Sequence, residues 1–138
     1  MTQTRPAQVH FDDLDAMGLL HNSRYALLVE RAISAYWAEQ GWSFDPAISK
    51  FKDLYLAVRE FKITYSAPVM GAGEVLVDFW IDRMGRTSGV YGFRVLSEDR
   101  SVVHAEGYRV NVNLDPQTFR PTPFSAELRT AAEPLMVG

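Results

Sequence analysis

The spacing of apolar and polar residues changes period twice along this chain. Residues from about 4 to 11 predict a short first strand, which the "MG" pair at 17 and 18 breaks. A helical period then takes over in "HNSRYALLVERAISAYWAEQG". There Tyr25, Ala26, Val29, Ile33, Tyr36 and Trp37 fall on one side, with Arg24, Arg31 and Ser34 opposite. Asn22 is the expected N-cap of this helix and Gly41 its stop. From about residue 55 the period becomes two. Phe61, Ile63 and Tyr65 share one face, and Lys62, Thr64 and Ser66 share the other. After the turn-rich "SAPVMGAGE", Val75, Val77, Phe79 and Ile81 are set against Leu76, Asp78, Trp80 and Asp82. Short connections at "RMGR" (83–86) and "SEDR" (97–100) predict hairpins into two further strands. The proline-bounded "DPQTFRPTP" leaves the last strand, and "SAELRTAAE" predicts a short C-terminal helix.

The order is therefore strand, long helix, then four antiparallel strands, which defines an α+β class with one helix covering one sheet. No repeat, low-complexity tract or linker divides the chain, so residues 1–138 are expected to form a single domain. A lone sheet leaves a face and two edges to be managed. With Trp80 and Tyr91 taken as available on it, pairing with a second copy is expected.

Composition narrows the chemistry. The 47% hydrophobic and 22% charged residues are those of a packed globular protein. Fourteen Lys and Arg against seventeen Asp and Glu give a net charge of −3 with no basic block, which argues against a nucleic-acid partner. The chain has no cysteine, which closes disulfides, thiolate nucleophiles and cysteine-ligated zinc. No leader pattern opens the chain, and no run of about 18 apolar residues occurs, so a cytoplasmic location away from membranes is expected.

The densest polar stretch, "DDLDAMGLLHNSRY" (12–25), lies just ahead of the long helix. A helix start offers unpaired N–H groups and partial positive charge, which stabilise a nearby anion or an oxyanion forming on a substrate carbonyl. A carboxylate placed there suits acyl transfer, because it can attack an activated acyl carbon or deprotonate water. Gly18 would let the backbone approach a substrate closely. Asp13 is expected to hold the turn, and Asp12 to be solvated. Asp13, Asp15 and His21 have the spacing of no familiar zinc or calcium site, so no metal is expected.

"DDLDAMGLLHNSRYALLVERA" resembles the opening motif of hotdog-fold acyl-CoA thioesterases of the 4-hydroxybenzoyl-CoA thioesterase-like group. Asp13, Asp15, Gly18, Asn22 and Tyr25 match its D-x-D-x-x-G run and the segment leading into the central helix, and Glu30 falls where "LEEAR" is common. Downstream, "ITYSAPVMGAGEVLV", "RMGRTSGVYGFRV" and "TFRPTPFSAELR" are similar to the family's later segments in the same order. The resemblance implies a hotdog fold, in which a five-stranded antiparallel sheet wraps around one long central helix, in a homodimer or homotetramer. It implies an acyl-CoA or acyl-carrier-protein thioester as substrate, hydrolysed to acid and thiol without a cofactor. Asp15 would be the catalytic carboxylate, as nucleophile through a mixed anhydride or as base toward water. The backbone N–H at or next to Asn22 would polarise the carbonyl. Gly18, His21 and Tyr25 would touch substrate, and Arg86, Thr87 and Ser88 would offer hydroxyls and a guanidinium to its phosphate or pantetheine part, with Arg83 and Arg59 in reserve. His21 stands where one subgroup has an amide side chain.

Other readings weigh less. A non-catalytic hotdog module that binds acyl-CoA or serves assembly would be marked by loss of the carboxylate, and Asp15 is present. Hotdog dehydratases rely on a histidine motif that this chain lacks. "DLDAM" mimics a phosphatase D-x-D, but 138 residues are too few for that doubly wound core.

Overall fold

The computed structural model describes residues 1–137. Five strands, β1 (Gln3–Val9), β2 (Tyr55–Tyr65), β3 (Gly73–Met84), β4 (Ser88–Ser97) and β5 (Val103–Leu114), form one antiparallel sheet in the order β1-β3-β4-β5-β2. The long helix α1 (Tyr25–Glu39) lies against it, and a short helix α2 (Ala126–Ala132) closes the far end. This is the sheet wrapped around one helix that the sequence implied. β1 contains Pro6, which cannot donate to a ladder; its place at the sheet edge makes that tolerable.

The helix-facing row of β3 is the predicted one: Val75, Val77, Phe79 and Ile81 are all buried. Phe79 meets the Tyr36 and Tyr91 rings edge-on at 6.2 and 6.5 Å, and Phe61 stacks on Phe93 at 5.2 Å. On α1 the buried stripe is Tyr25, Leu28, Val29, Ala32, Ile33, Tyr36 and Trp37. Ala26, expected inside, is exposed, because the stripe runs at alternating three- and four-residue steps that take in Leu28 and Ala32 instead.

Two further expectations need correction. Asn22 does not cap the helix: a 3₁₀ turn spans Asn22–Arg24 ahead of α1, and His21 caps it, its Nδ1 accepting from the Ser23 N–H at 3.0 Å. Tyr91 is not on a free face. It points toward the helix, where its hydroxyl accepts from Trp37 Nε1 at 2.7 Å. Trp80 does lie on the other face, with its N–H given to Asp82 at 2.8 Å and the Arg94 guanidinium 5.0 Å above its ring. The helix stop is as expected, since Gly41 adopts φ +103° just past the end of α1.

The segment between α1 and β2 is tied down by a buried carboxylate. Asp53 accepts from the Ser125 N–H at 2.8 Å, from the Ser125 hydroxyl and from Asn113 Nδ2 at 3.0 Å. Ser125 also caps α2 through the Leu128 N–H, so one network fixes loop, strand and C-terminal helix together.

Candidate active site

Residues 14–20 fold back on themselves as a miniature hairpin, joined by a bridge between Leu14 and Leu20. The Gly18 N–H donates to Asp15 O at 3.0 Å, and the Asp15 N–H donates to Leu19 O at 2.7 Å. Gly18 has φ +77°, and a Cβ there would meet nothing within 4 Å. Its glycine is thus demanded by the turn's backbone angles, whatever approaches it.

The Asp15 side chain is part of the same turn. Its Oδ1 accepts from the Met17 N–H at 2.8 Å and the Leu19 N–H at 3.1 Å, while Oδ2 has no partner among the described residues. One oxygen therefore fixes the carboxylate, and the other has no protein partner among the described residues. Asp13, two residues earlier, is buried and fully engaged. Its Oδ2 accepts from the His10 N–H at 2.8 Å, and its Oδ1 faces Arg24 Nε at 3.5 Å, as expected of a residue that holds the turn.

The hairpin is pinned across the β2–β3 connection. The Leu20 N–H donates to Val69 O at 2.9 Å, and the Gly71 N–H donates to Gly18 O at 2.9 Å. Between them opens a cleft of about 490 Å³, lined by Asp15, Leu19, His21, Asn22, Tyr25 and the 65–68 segment. Tyr25 and Tyr65 pack edge-on at 5.0 Å, and the Tyr65 hydroxyl donates to Asn22 O at 3.2 Å. Burial raises the Tyr25 hydroxyl pKa above its ordinary value, so that group stays protonated.

Asp15, His21, Asn22 and Tyr25 thus line one cleft. The Asn22 N–H, at the start of the helical segment, has no acceptor among the described residues. Because His21 Nδ1 accepts a backbone N–H, the neutral ring carries its proton on Nε2. Arg86, Thr87 and Ser88 lie elsewhere. β3 begins beside the Asp15 hairpin and ends at Met84, so the β3–β4 turn stands at the opposite end of a 12-residue strand, roughly 35 Å away at about 3.3 Å per residue. Within one copy they do not share the Asp15 cleft.

A second cavity, of about 210 Å³, was not anticipated from the sequence. It lies under the C-terminal half of α1, between Ile33, Trp37, Leu56, Tyr91 and Leu128, and contains the buried Arg109. Among the described residues, no group of three or more His, Asp or Glu side chains is arranged to hold a metal.

The chain matches the thioesterase superfamily over residues 17–104, more than half of its length, and belongs to that family. That membership supports thioester hydrolysis as its general activity. The fold recurs in solved structures. A protein from Pseudomonas aeruginosa strain PAO1 shares 24% identity with a TM-score of 0.85, over 99% of this chain and 92% of that one. The 1,4-dihydroxy-2-naphthoyl-CoA thioesterase of Synechocystis shares 17% at 0.84, over 98% of each chain. A thioesterase from Thermus thermophilus, solved in complex with coenzyme A and Zn, shares 25% at 0.78, over 96% of this chain and 92% of that one. No curated protein sequence matches. Among the described residues no helix is long and apolar enough to cross a membrane.

Proposed function

We propose that this protein hydrolyses acyl-CoA thioesters in the cleft at Asp15. The observation that carries the reading is the division of labour within the Asp15 carboxylate: Oδ1 is held by two N–H groups, while Oδ2 is unpartnered among the described residues, in a cleft that also presents the helix start at Asn22. A thioester carbonyl directed at the Asn22 N–H would develop its oxyanion where the helix terminus favours negative charge, a contribution of about 3–4 kcal/mol for one well-placed donor. Asp15 Oδ2 then acts on the carbonyl carbon or on a water beside it. Attack on carbon forms a mixed anhydride that water cleaves, releasing thiol and then acid; the base route delivers hydroxide directly. Both end in the same products and need no cofactor.

The same reading calls for a second copy. The edge strand β2 exposes Tyr55, Val58 and Tyr65, and β2 has its second edge open. Antiparallel pairing of two β2 edges about a two-fold axis would set the Tyr65 end of one copy beside the Tyr55 end of the other. The β3–β4 turn stands at the Tyr55 end, since Ser88 pairs with Val112 and Val112 with Ala57. Arg86, Thr87 and Ser88 of one copy would then approach the Asp15 cleft of its partner, where they would meet the phosphate or pantetheine part of the substrate.

The test is thiol release from a panel of short, long and aromatic acyl-CoAs, with a carrier-protein thioester alongside. Hydrolysis of at least one member at tens of turnovers per second or below, with kcat/KM above roughly 10³ M⁻¹s⁻¹, is expected for an ordinary enzyme. A protein inert on every member yet binding them would instead be an acyl-CoA-binding module.

A further inference from the structure

The helix-facing row of β5 carries Arg109, Asn111 and Asn113, and all three are buried. Arg109 is 5% exposed in a cavity whose walls are mostly apolar. A guanidinium in such a place is costly unless its donors are matched. Its Nε donates to Asn111 Oδ1 at 2.9 Å, and Asn111 in turn donates to Leu56 O at 3.2 Å, which fixes the plane of the group. The Tyr91 ring lies 5.5 Å from its central carbon. The outer end of the fork is poorly matched. Nη1 stands 3.3 Å from Glu30 Oε1, but Glu30 is half exposed and also accepts from the Ser34 hydroxyl at 2.8 Å, and Nη2 has no partner among the described residues. The fork is thus oriented and incompletely used, and its unpartnered Nη2 is open to the adjoining space of about 210 Å³ rather than sealed in the core.

We propose that this cavity binds a carboxylate with a compact apolar body, the carboxylate pairing with the two terminal nitrogens of Arg109 and displacing Glu30. A planar guanidinium takes a carboxylate through two parallel hydrogen bonds, which an alcohol or an alkane cannot supply. The space equals roughly seven waters at ~30 Å³ each, enough for the body of a medium-chain or aromatic acid. Ile33, Trp37, Leu56 and Leu128 surround that body. The chemistry has two sources: a free acid, or the far end of an acyl thioester that bears a second carboxylate. The site itself is independent of the thioesterase reading; only the second source rests on it.

Octanoate is the probe, followed by calorimetry and by tryptophan fluorescence, since Trp37 and Trp42 line the cavity. Octanoate is expected to bind at least tenfold more tightly than octan-1-ol, and Arg109→Met is expected to remove that difference. Glu30→Gln, a substitution at a half-exposed helix position, removes the competing carboxylate and should tighten octanoate binding about threefold or more. If Arg109→Met does not fold, this second variant decides, and unchanged or weaker binding overturns the proposal. Asp15→Asn should leave octanoate affinity unaltered; a fall there would place the acid in the other cleft and overturn it too. Hydrolysis of suberoyl-CoA against octanoyl-CoA separates the sources. A tenfold preference in kcat/KM that disappears in Arg109→Met assigns the tethered carboxylate, whereas octanoate binding without that preference assigns the free acid. Absence of both overturns the site.

Discussion

The Asp15 cleft draws most of its polar groups from one short stretch, residues 15–25, closed by the neighbouring 65–68 segment. The Arg109 cavity takes its walls from α1, the loop after it, four different stretches of the sheet and α2, which meet only through long-range packing. In the first, backbone N–H groups of a tight turn orient the Asp15 carboxylate. In the second, a side-chain network on one β-strand row orients a guanidinium. The first is a locally encoded site that survives as long as its turn does. The second exists only when helix, sheet and loop are all in register.

That difference can be broken experimentally, and the largest effect is expected in the cavity wall. Trp37 is buried, packs edge-on against Tyr36 and Phe51 at 5.2 and 5.8 Å, and donates to Tyr91. Trp37→Ala should cost about 3–5 kcal/mol in urea unfolding, because a large void opens and a buried hydroxyl loses its donor. A cost below about 1 kcal/mol would mean that the cavity is not held by packing.

Tyr91→Phe sharpens the same side of the comparison with a smaller change. It leaves the Trp37 N–H without its acceptor in a buried place, which should cost about 1–3 kcal/mol near neutral pH. It also has a signature in alkali. Burial, partly offset by the Trp37 hydrogen bond and by Arg109, pushes the Tyr91 hydroxyl pKa up to about 12 from its ordinary 10.0. Below pH 10 the group is neutral in both states and its contribution is whole. Between pH 10 and 12 the unfolded chain gives up this proton while the folded chain keeps it, so stability falls as pH rises. Urea midpoints at about pH 9 and 11 should therefore fall less in Tyr91→Phe than in the parent, and an equal fall would contradict the burial of this hydroxyl.

Gly18→Ala probes the other region. A methyl group at φ +77° meets no neighbour, so the expected cost of about 1–2 kcal/mol is purely that of the left-handed backbone. Melting temperature should drop slightly while thiol release drops more, since the turn that relaxes is the one holding Asp15. Octanoate binding at Arg109 should not change. Loss of both together would show that the two regions are not separate.

The same contrast explains what was legible in the sequence. The turn at "DAMG", the helix after it and both hairpins at 83–86 and 97–100 are local events, announced by glycine, by period and by loop length, and the structure has each of them. Sequence and structure part where a neighbour in space decides the outcome. Asn22 has the better capping side chain by general preference, yet the chain turns one residue earlier and His21 takes the role. Tyr91 reads as outward because nothing local says which row of β4 the helix covers. Arg109 escapes notice for a deeper reason. Both rows of "YRVNVN" are buried, Val110 and Val112 on one and Arg109, Asn111 and Asn113 on the other, so alternation cannot mark the inner face. An alternating run that ends in polar residues on a strand flanked on both sides is the signal that could have raised the question.

Under the proposed function, Asp15 Oδ2 performs the reaction while Oδ1 holds the turn. Asp15→Asn keeps an oxygen able to accept the Met17 and Leu19 N–H groups and replaces the reactive one with an amide. The most direct measurement is kcat/KM for thiol release by this variant on the parent's best acyl-CoA, with thermal melting recorded on the same sample. A fall of about 10²-fold or more at a melting temperature within a few degrees of the parent is the predicted result. A folded Asp15→Asn variant that retains the parent's kcat/KM would contradict it.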